Sequence, residues 1–200
     1  MLEKLDLSKK VSKEEYNRQM EVLGERLGKA QRMARDAKRP IIIVFEGWRG
    51  ARRSALINEM MQQMDARGFN VYSSVRLRGV IQEQPFFSAF WKRLPALGHI
   101  AVYHRSWYYL KNANELADKE DNTKYPAVSF EHINNFEKML TDDNYLVLKF
   151  FLHLSPEQQK KNIAKNAKTL GKAWRDLNPA IDESEDYDKF LPHYEKMLEA

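Results

Sequence analysis

Apolar residues recur along this chain with two different periods, and the changes from one to the other mark its elements. From Ser12 to Lys38 the spacing is helical, with Tyr16, Met20, Leu23, Leu27, Ala30 and Ala34 on one predicted face. Ser12 followed by Glu15 resembles a capping box, and Arg39-Pro40 ends the segment. "PIIIVFEG" is then continuously apolar and β-branched, the pattern of a strand buried on both faces. A helix is predicted from about Arg53 to Asp65, where Arg67-Gly68 breaks it, and "FNVYSSV" reads as a second strand. "PFFSAFWKRL" is a short aromatic helix, "HIAVYHRS" a third strand, "FEHINNFEKML" a helix and "NYLVLKFFLHLS" a fourth strand. Pro156 opens a polar helix, "PEQQKKNIAKNAKTL", and "DYDKFLPHYEKMLEA" closes the chain as another.

Strands that alternate with helices imply right-handed crossovers and a parallel sheet covered on both faces, an α/β fold. Ligands in such sheets bind beyond the carboxyl ends of the strands. Those ends fall at Glu46-Gly47, Ser74-Val75, His104-Arg105 and His153-Leu154. "LADKEDNTKYPAV", from Leu116 to Val128, is the least regular stretch and the expected mobile segment.

Composition narrows the function classes. The chain has no cysteine, which excludes disulfides and thiolate metal sites. It has no apolar signal-peptide core and no run long enough to span a bilayer, so the expectation is a cytoplasmic protein with no membrane partner. A net charge of +5 permits an anionic partner without demanding one. The distribution of arginines says more: Arg49, Arg52, Arg53, Arg76, Arg78, Arg93 and Arg105 all lie near predicted strand ends or helix starts. Neither a basic helix nor an RNA-binding aromatic motif is present, which argues against nucleic acid.

"VFEGWRGARRSALI" has the outline of a phosphate-binding loop. That pattern is glycine, four residues, glycine, lysine, then serine or threonine, between a strand and a helix. Backbone N–H groups cradle the anion, the lysine reaches the outer phosphates and the hydroxyl holds Mg²⁺. Gly47 matches the first glycine and Ser54 the hydroxyl at the required spacing, while Arg52 replaces the second glycine and Arg53 the lysine. Arginine keeps the charge, but its planar fork is no substitute for a compact ammonium. A side chain at position 52 should also crowd the backbone approach that glycine permits. Two readings are open on the spacing alone: a phosphate site formed by Gly47, Gly50, Arg52, Arg53 and Ser54, or a tight turn whose arginines face solvent.

At the end of the third strand, "AVYHRSWYY" puts His104 where folds of this outline hold an acidic residue for Mg²⁺. A structural strand-end histidine and a hydrogen-bonding or metal-binding one are both open there, with no second ligand at metal spacing nearby. Arg105 suits phosphate better, and Trp107, Tyr108 and Tyr109 read as core or interface aromatics.

Taken in order, "VFEGWRGARRSALI", "PFFSAFWKRLPALGHIAVYHRSWYY", "INNFEKMLTDDNYLVLKFFLHLSPEQQKKNI" and "DYDKFLPHYEKML" resemble the polyphosphate kinase 2 family from about Arg39 onward. The resemblance implies a P-loop kinase-like, three-layer α/β/α fold with a parallel sheet, a long N-terminal helix and a helical lid. It also implies phosphoryl transfer between inorganic polyphosphate and a nucleotide, with Mg²⁺. The departures from the family pattern fall on the chemistry. Arg49 stands for the aspartate of the first motif, Arg52 for the loop glycine, Arg53 for the loop lysine, His104 for the second aspartate and Asn162 for a lid arginine. Gly47, Phe90-Trp91, Leu94-Pro95, Gly98 and Arg105 to Tyr108 are kept.

Losing both metal-holding carboxylates while adding positive charge should repel Mg²⁺ and leave anion binding intact. The expectation is therefore a domain with degenerate catalytic positions at Arg49, Arg53 and His104, no metal ligand, and Mg²⁺ held weakly if at all. Its phosphate-binding residues would be Gly47, Gly50, Arg52, Arg53, Ser54 and Arg105. Expected partners are inorganic polyphosphate, a nucleotide such as AMP, and a second domain of the family in the same chain or a homo-oligomer. The resemblance is strongest to the degenerate N-terminal half of a tandem polyphosphate:AMP phosphotransferase. An active phosphotransferase with atypical loop residues and a non-catalytic polyanion- or nucleotide-binding regulatory module are the alternatives. The expected organisation is a helical extension over 1–38 and the family domain over 39–200, cut short at its C-terminal end, with lid regions at about 108–135 and 155–200.

Overall fold

The computed structural model describes residues 1–74, 84–116, 128–176 and 187–200. Helix α1 runs Lys13–Asp36, strand β1 Ile41–Gly47, α2 Arg53–Met61, β2 Phe69–Ser73, α3 Ser88–Trp91 and β3 Ile100–His104. Helix α4 follows at Trp107–Leu116, α5 at Phe130–Asp142, β4 at Leu146–Leu152, α6 at Pro156–Asp176 and α7 at Tyr187–Glu199. All four predicted strands form, in one four-stranded parallel sheet of order β2-β3-β1-β4. The β1–β3 register pairs Phe45 with His104, and the β2–β3 register pairs Ser73 with the same residue. The connection from β1 leads one way along the sheet to β2, and that from β3 leads the other way to β4. The carboxyl ends of β1 and β3 therefore flank the switch point at which such sheets bind ligands.

The chain divides into two compact units, Val11–Glu46 with Ser54–Phe150, and Met1–Lys10 with Gly47–Arg53 and Phe151–Ala200. In the larger unit, alternation along the strands sends side chains to two apolar layers. Ile43, Phe45, Ile100 and Val102 pack with Ile57 and Met64, flanked by Leu27 of α1 and Met60 and Met61 of α2. On the other face Tyr103 meets Phe90 and Trp107, and Trp107 sets its ring edge-on to Phe136 of α5. Helices thus cover β1 and β3 on both sides, as their unbroken apolar runs require, while the edge strands β2 and β4 stay partly exposed. The smaller unit is built on Trp48, whose indole stacks on Tyr187 at 3.9 Å and meets Tyr194 edge-on at 4.7 Å. The amino terminus and the Leu2 amide both bind the Glu195 carboxylate there.

Three sequence expectations shift in the structure. Ser12 caps α1 through the Glu15 amide, but the Glu15 carboxylate turns to Arg18 and Gln19 instead of completing the box. The buried stripe of α1 is Gly24, Gln31 and Ala34, while the expected Tyr16 and Leu23 are 44% and 47% exposed. Small residues let α1 lie close to its neighbours: a Cβ added at Gly24 would fall 2.5 Å from Gln63 Oε1. Helix α2 ends at Met61, short of Asp65, because Asp65 caps a separate 3₁₀ turn, Ala66–Gly68, through the Arg67 amide. Helix α4 is the element the periodicity missed. Its first turn is Trp107, Tyr108 and Tyr109, all buried. The expected mobile segment lies almost wholly outside the described residues, as do Arg76 and Arg78.

Candidate functional site

The predicted loop follows β1 in the smaller unit and is held by its own neighbours. Gly47 has φ +116°, and an added Cβ would come 2.2 Å from the Leu152 carbonyl oxygen, so only glycine fits beside β4. The Trp48 amide donates to that same carbonyl at 3.2 Å, and the Trp48 indole donates to Nδ1 of His153 at 2.9 Å. Burial pushes the His153 imidazole below its ordinary value, with the Glu195 charge opposing. Gly50 has φ +82°, and its carbonyl accepts from Asn162 Nδ2 of α6 at 3.0 Å. Asn162 is in turn held by Gln158 at 2.7 Å. The position expected to carry a lid arginine is thus a clamp on the loop. Gln159 of the same helix is fully buried, and neither of its amide atoms has a hydrogen-bond partner among the described residues.

The arginines of the loop take different places. Arg53 is 6% exposed and donates Nη1 to the carbonyls of Gly47 and Trp48, the latter at 3.1 Å. Arg49 is half-buried. Arg52 is exposed and stands at φ +57°, a left-handed backbone at a glycine slot of the motif. An L-residue in that conformation costs roughly 1–2 kcal/mol relative to glycine. The Ala51 amide closes a turn on the Trp48 carbonyl at 3.2 Å. The Trp48 and Ala51 amides and the Arg53 guanidinium, groups that could face an anion, are thus bonded to backbone carbonyls.

In the larger unit the end of β3 forms a second cluster. His104 Nε2 lies 3.2 Å from the hydroxyl of Ser54. The amide of Arg105 donates to the Phe45 carbonyl at 3.0 Å, its φ is +66°, and its guanidinium lies over the Tyr109 ring at 3.9 Å. Glu46, 5% exposed, accepts from the Ser106 amide and hydroxyl, each at 2.7 Å, and from the Tyr109 amide at 3.3 Å. A carboxylate against the first-turn amides of α4 is a favourable helix cap. It comes from sixty positions upstream, so no local sequence pattern could have announced the helix. Trp48 in the smaller unit and Glu46 and Tyr109 in the larger one hold these two clusters, and the sequence reading gave none of the three a part in the site, while Asn162 entered it only as a lost lid arginine. The one available signal was the pairing of an apolar strand with a terminal Glu-Gly.

Mg²⁺ demands oxygen ligands in near-octahedral array. The hydroxyl of Ser54 faces an imidazole, and the carboxylate at the end of β1, Glu46, is buried and caps α4. No group of three metal-ligating side chains occurs among the described residues. This donor set does not fit Mg²⁺, and no chemistry is derived through the ion.

The parallel sheet order and the strand–loop–helix at β1 make a P-loop kinase-like α/β fold. The sequence profile of the polyphosphate kinase 2 family matches residues 10–200, and the chain belongs to that family. It is 29% identical to a polyphosphate:AMP phosphotransferase of Pseudomonas aeruginosa, over 99% of this chain and 40% of that protein. It is 26% identical to an ADP-polyphosphate phosphotransferase of Rhodopseudomonas palustris, over 98% of this chain and 75% of the relative. The crystal structure of polyphosphate kinase 2 from Arthrobacter aurescens superposes with a TM-score of 0.80 at 18% identity, covering 97% of this chain and 71% of that one. The chain spans about two-fifths of the polyphosphate:AMP phosphotransferase. None of the described helices is long and apolar enough to cross a membrane.

Proposed function

We propose that this chain is a polyphosphate kinase 2-family domain that holds phosphate anions and no longer transfers phosphoryl groups. The observation that carries this reading is Arg53. A loop lysine must extend toward the outer phosphates, whereas the Arg53 guanidinium is buried against the carbonyls of Gly47 and Trp48. The pairing of Ser54 with His104 and the poor fit for Mg²⁺ support it further, since phosphoryl transfer rests on positioning and charge neutralisation by that ion. The exposed charge of Arg52 remains available to a polyanion, with Arg49, Arg105 and the glycines of the loop as the other expected contacts.

The relatives named above act on polyphosphate with AMP or ADP, which supports inorganic polyphosphate as the anion held and a nucleotide as a second ligand. This reading extends to a place beside a second domain of the family, as the degenerate N-terminal half of a tandem protein packed on an active half. In that arrangement the lid regions at 108–135 and 155–200 would serve docking rather than closure over a nucleotide.

The test supplies the chain with polyphosphate, Mg²⁺ and AMP or ADP and follows ADP or ATP by chromatography. The expected result is no turnover, with polyphosphate binding that weakens in an Arg49→Ala/Arg52→Ala variant. Turnover that disappears in Arg53→Ala would overturn the reading and restore an active phosphotransferase.

A further inference from the structure

A cavity of about 440 Å³ lies in the larger unit at the amino ends of β2 and β3, the opposite end of the sheet from His104. It is lined by Arg32 and Arg35 of α1, Arg67 and Gly68 of the 3₁₀ turn, Asp65 before that turn, and His99. Its size falls within the range of small-ligand pockets, roughly 300–1,000 Å³.

The walls are fixed without a ligand. Gln31, 6% exposed, exchanges two hydrogen bonds with the backbone of Asp65, accepting at 2.7 Å and donating at 2.9 Å. Glycines allow the close approach: an added Cβ at Gly68 would fall 2.5 Å from Gln31 Nε2, and one at Gly98 (φ +75°) would fall 3.0 Å from the Arg35 backbone. Side chains at either position would push the loops away from α1 and open the cavity.

Three guanidinium groups face one carboxylate in this lining. Asp65 is taken by Arg67, which grips it at 3.0 and 2.7 Å and holds its carboxyl well below the usual range. Arg35 pairs loosely with the exposed Asp36, at 3.8 Å, and its charge also acts on Asp65. Arg32 makes no side-chain hydrogen bond or ion pair among the described residues, and its Nη1 lies 3.7 Å from where a Cβ on Gly28 would be. One positive charge, that of Arg32, is thus uncompensated and a second, that of Arg35, is held only loosely, on side chains whose planar forks match phosphate oxygens.

We infer that this cavity is a second anion site, for an inorganic oligophosphate, independent of the loop after β1. The lining contains no Phe, Tyr or Trp on which a nucleotide base could stack. The chemistry shared by both ligand sources is a run of adjacent charged phosphates, and that bare lining favours the inorganic one.

Amide spectra of the full 200-residue chain test it, with Gly28, Gly68 and Gly98 as reporters and sodium tripolyphosphate and ADP as probes. The expected result is a saturable shift of all three glycines with tripolyphosphate, and with ADP only at higher concentration. The affinity should fall about tenfold or more in Arg32→Ala/Arg35→Ala, partly recover in Arg32→Lys/Arg35→Lys, and weaken with added salt. An Arg49→Ala/Arg52→Ala variant should leave these shifts unchanged, which separates the site from the loop. Reporter glycines that stay still, or that shift equally in the folded arginine-to-alanine variant, would overturn the site. Saturation by ADP below the tripolyphosphate concentration would overturn the inorganic assignment.

Discussion

Arg53 donates to the carbonyl of Trp48 at 3.1 Å, so the first residue of α2 is tied back to the loop that precedes it. In Arg53→Ala the buried carbonyls of Gly47 and Trp48 lose this partner. The expected loss of stability is about 1–3 kcal/mol by chemical denaturation. A variant as stable as the parent would mean that the guanidinium is not holding the loop.

Arg52 gives the opposite sign. Arg52→Gly relieves a left-handed backbone and should stabilise the fold by up to about 1 kcal/mol, after allowing for the greater freedom of glycine when unfolded. The same change removes an exposed charge and should weaken polyphosphate binding several-fold. A rise in melting temperature with unchanged binding would remove Arg52 from the anion site.

Gly47→Ala tests the approach of the loop to β4. Its Cβ would meet the Leu152 backbone, at 2.2 Å from the oxygen and 2.6 Å from the nitrogen, which a rotamer change cannot relieve. The expected cost is about 3 kcal/mol or more, seen as loss of cooperative unfolding or of soluble protein.

His153 accepts the indole N–H of Trp48 through Nδ1, which requires the ring to be unprotonated there. Burial lowers its folded-state pKa, so below about pH 6.5 the unfolded chain takes up a proton that the folded chain resists. Stability should hold above that pH and decline as the pH falls through it toward the folded value. Melting curves across the range check this, and His153→Gln should flatten the decline.

Gln159 is buried without partners for its side-chain amide among the described residues. Replacing such a group with an apolar one of similar length is expected to stabilise by about 1–2 kcal/mol. Gln159→Met is the variant, with denaturation midpoints as the measure. A loss of stability would show that the amide makes a bond in solution.

The strands, their parallel sheet and most of the helices were legible in the chain because their apolar periods are local and uninterrupted. The phosphate-loop outline was legible for the same reason, as a strand end followed by glycines at fixed spacing. Helix α4 was not, because its cap is Glu46, brought from another strand by the β1–β3 pairing. The rotated face of α1 was hidden because the pattern points to large side chains, whereas close packing there selects Gly24 and Ala34. The inward turn of Arg53 also escaped the sequence, since a cation at a loop position reads the same whether it faces solvent or its own backbone.

The strand order carries a consequence for synthesis. β1 lies between β3 and β4, so "IIIVF" has no sheet partner until the chain has emerged at least to Ile100. Until then, a nascent chain on the ribosome presents an unpaired, wholly apolar strand, the kind of segment that chaperones cover and that nucleates aggregation. The central place of β1 in the finished sheet is thus also what leaves it uncovered through much of synthesis.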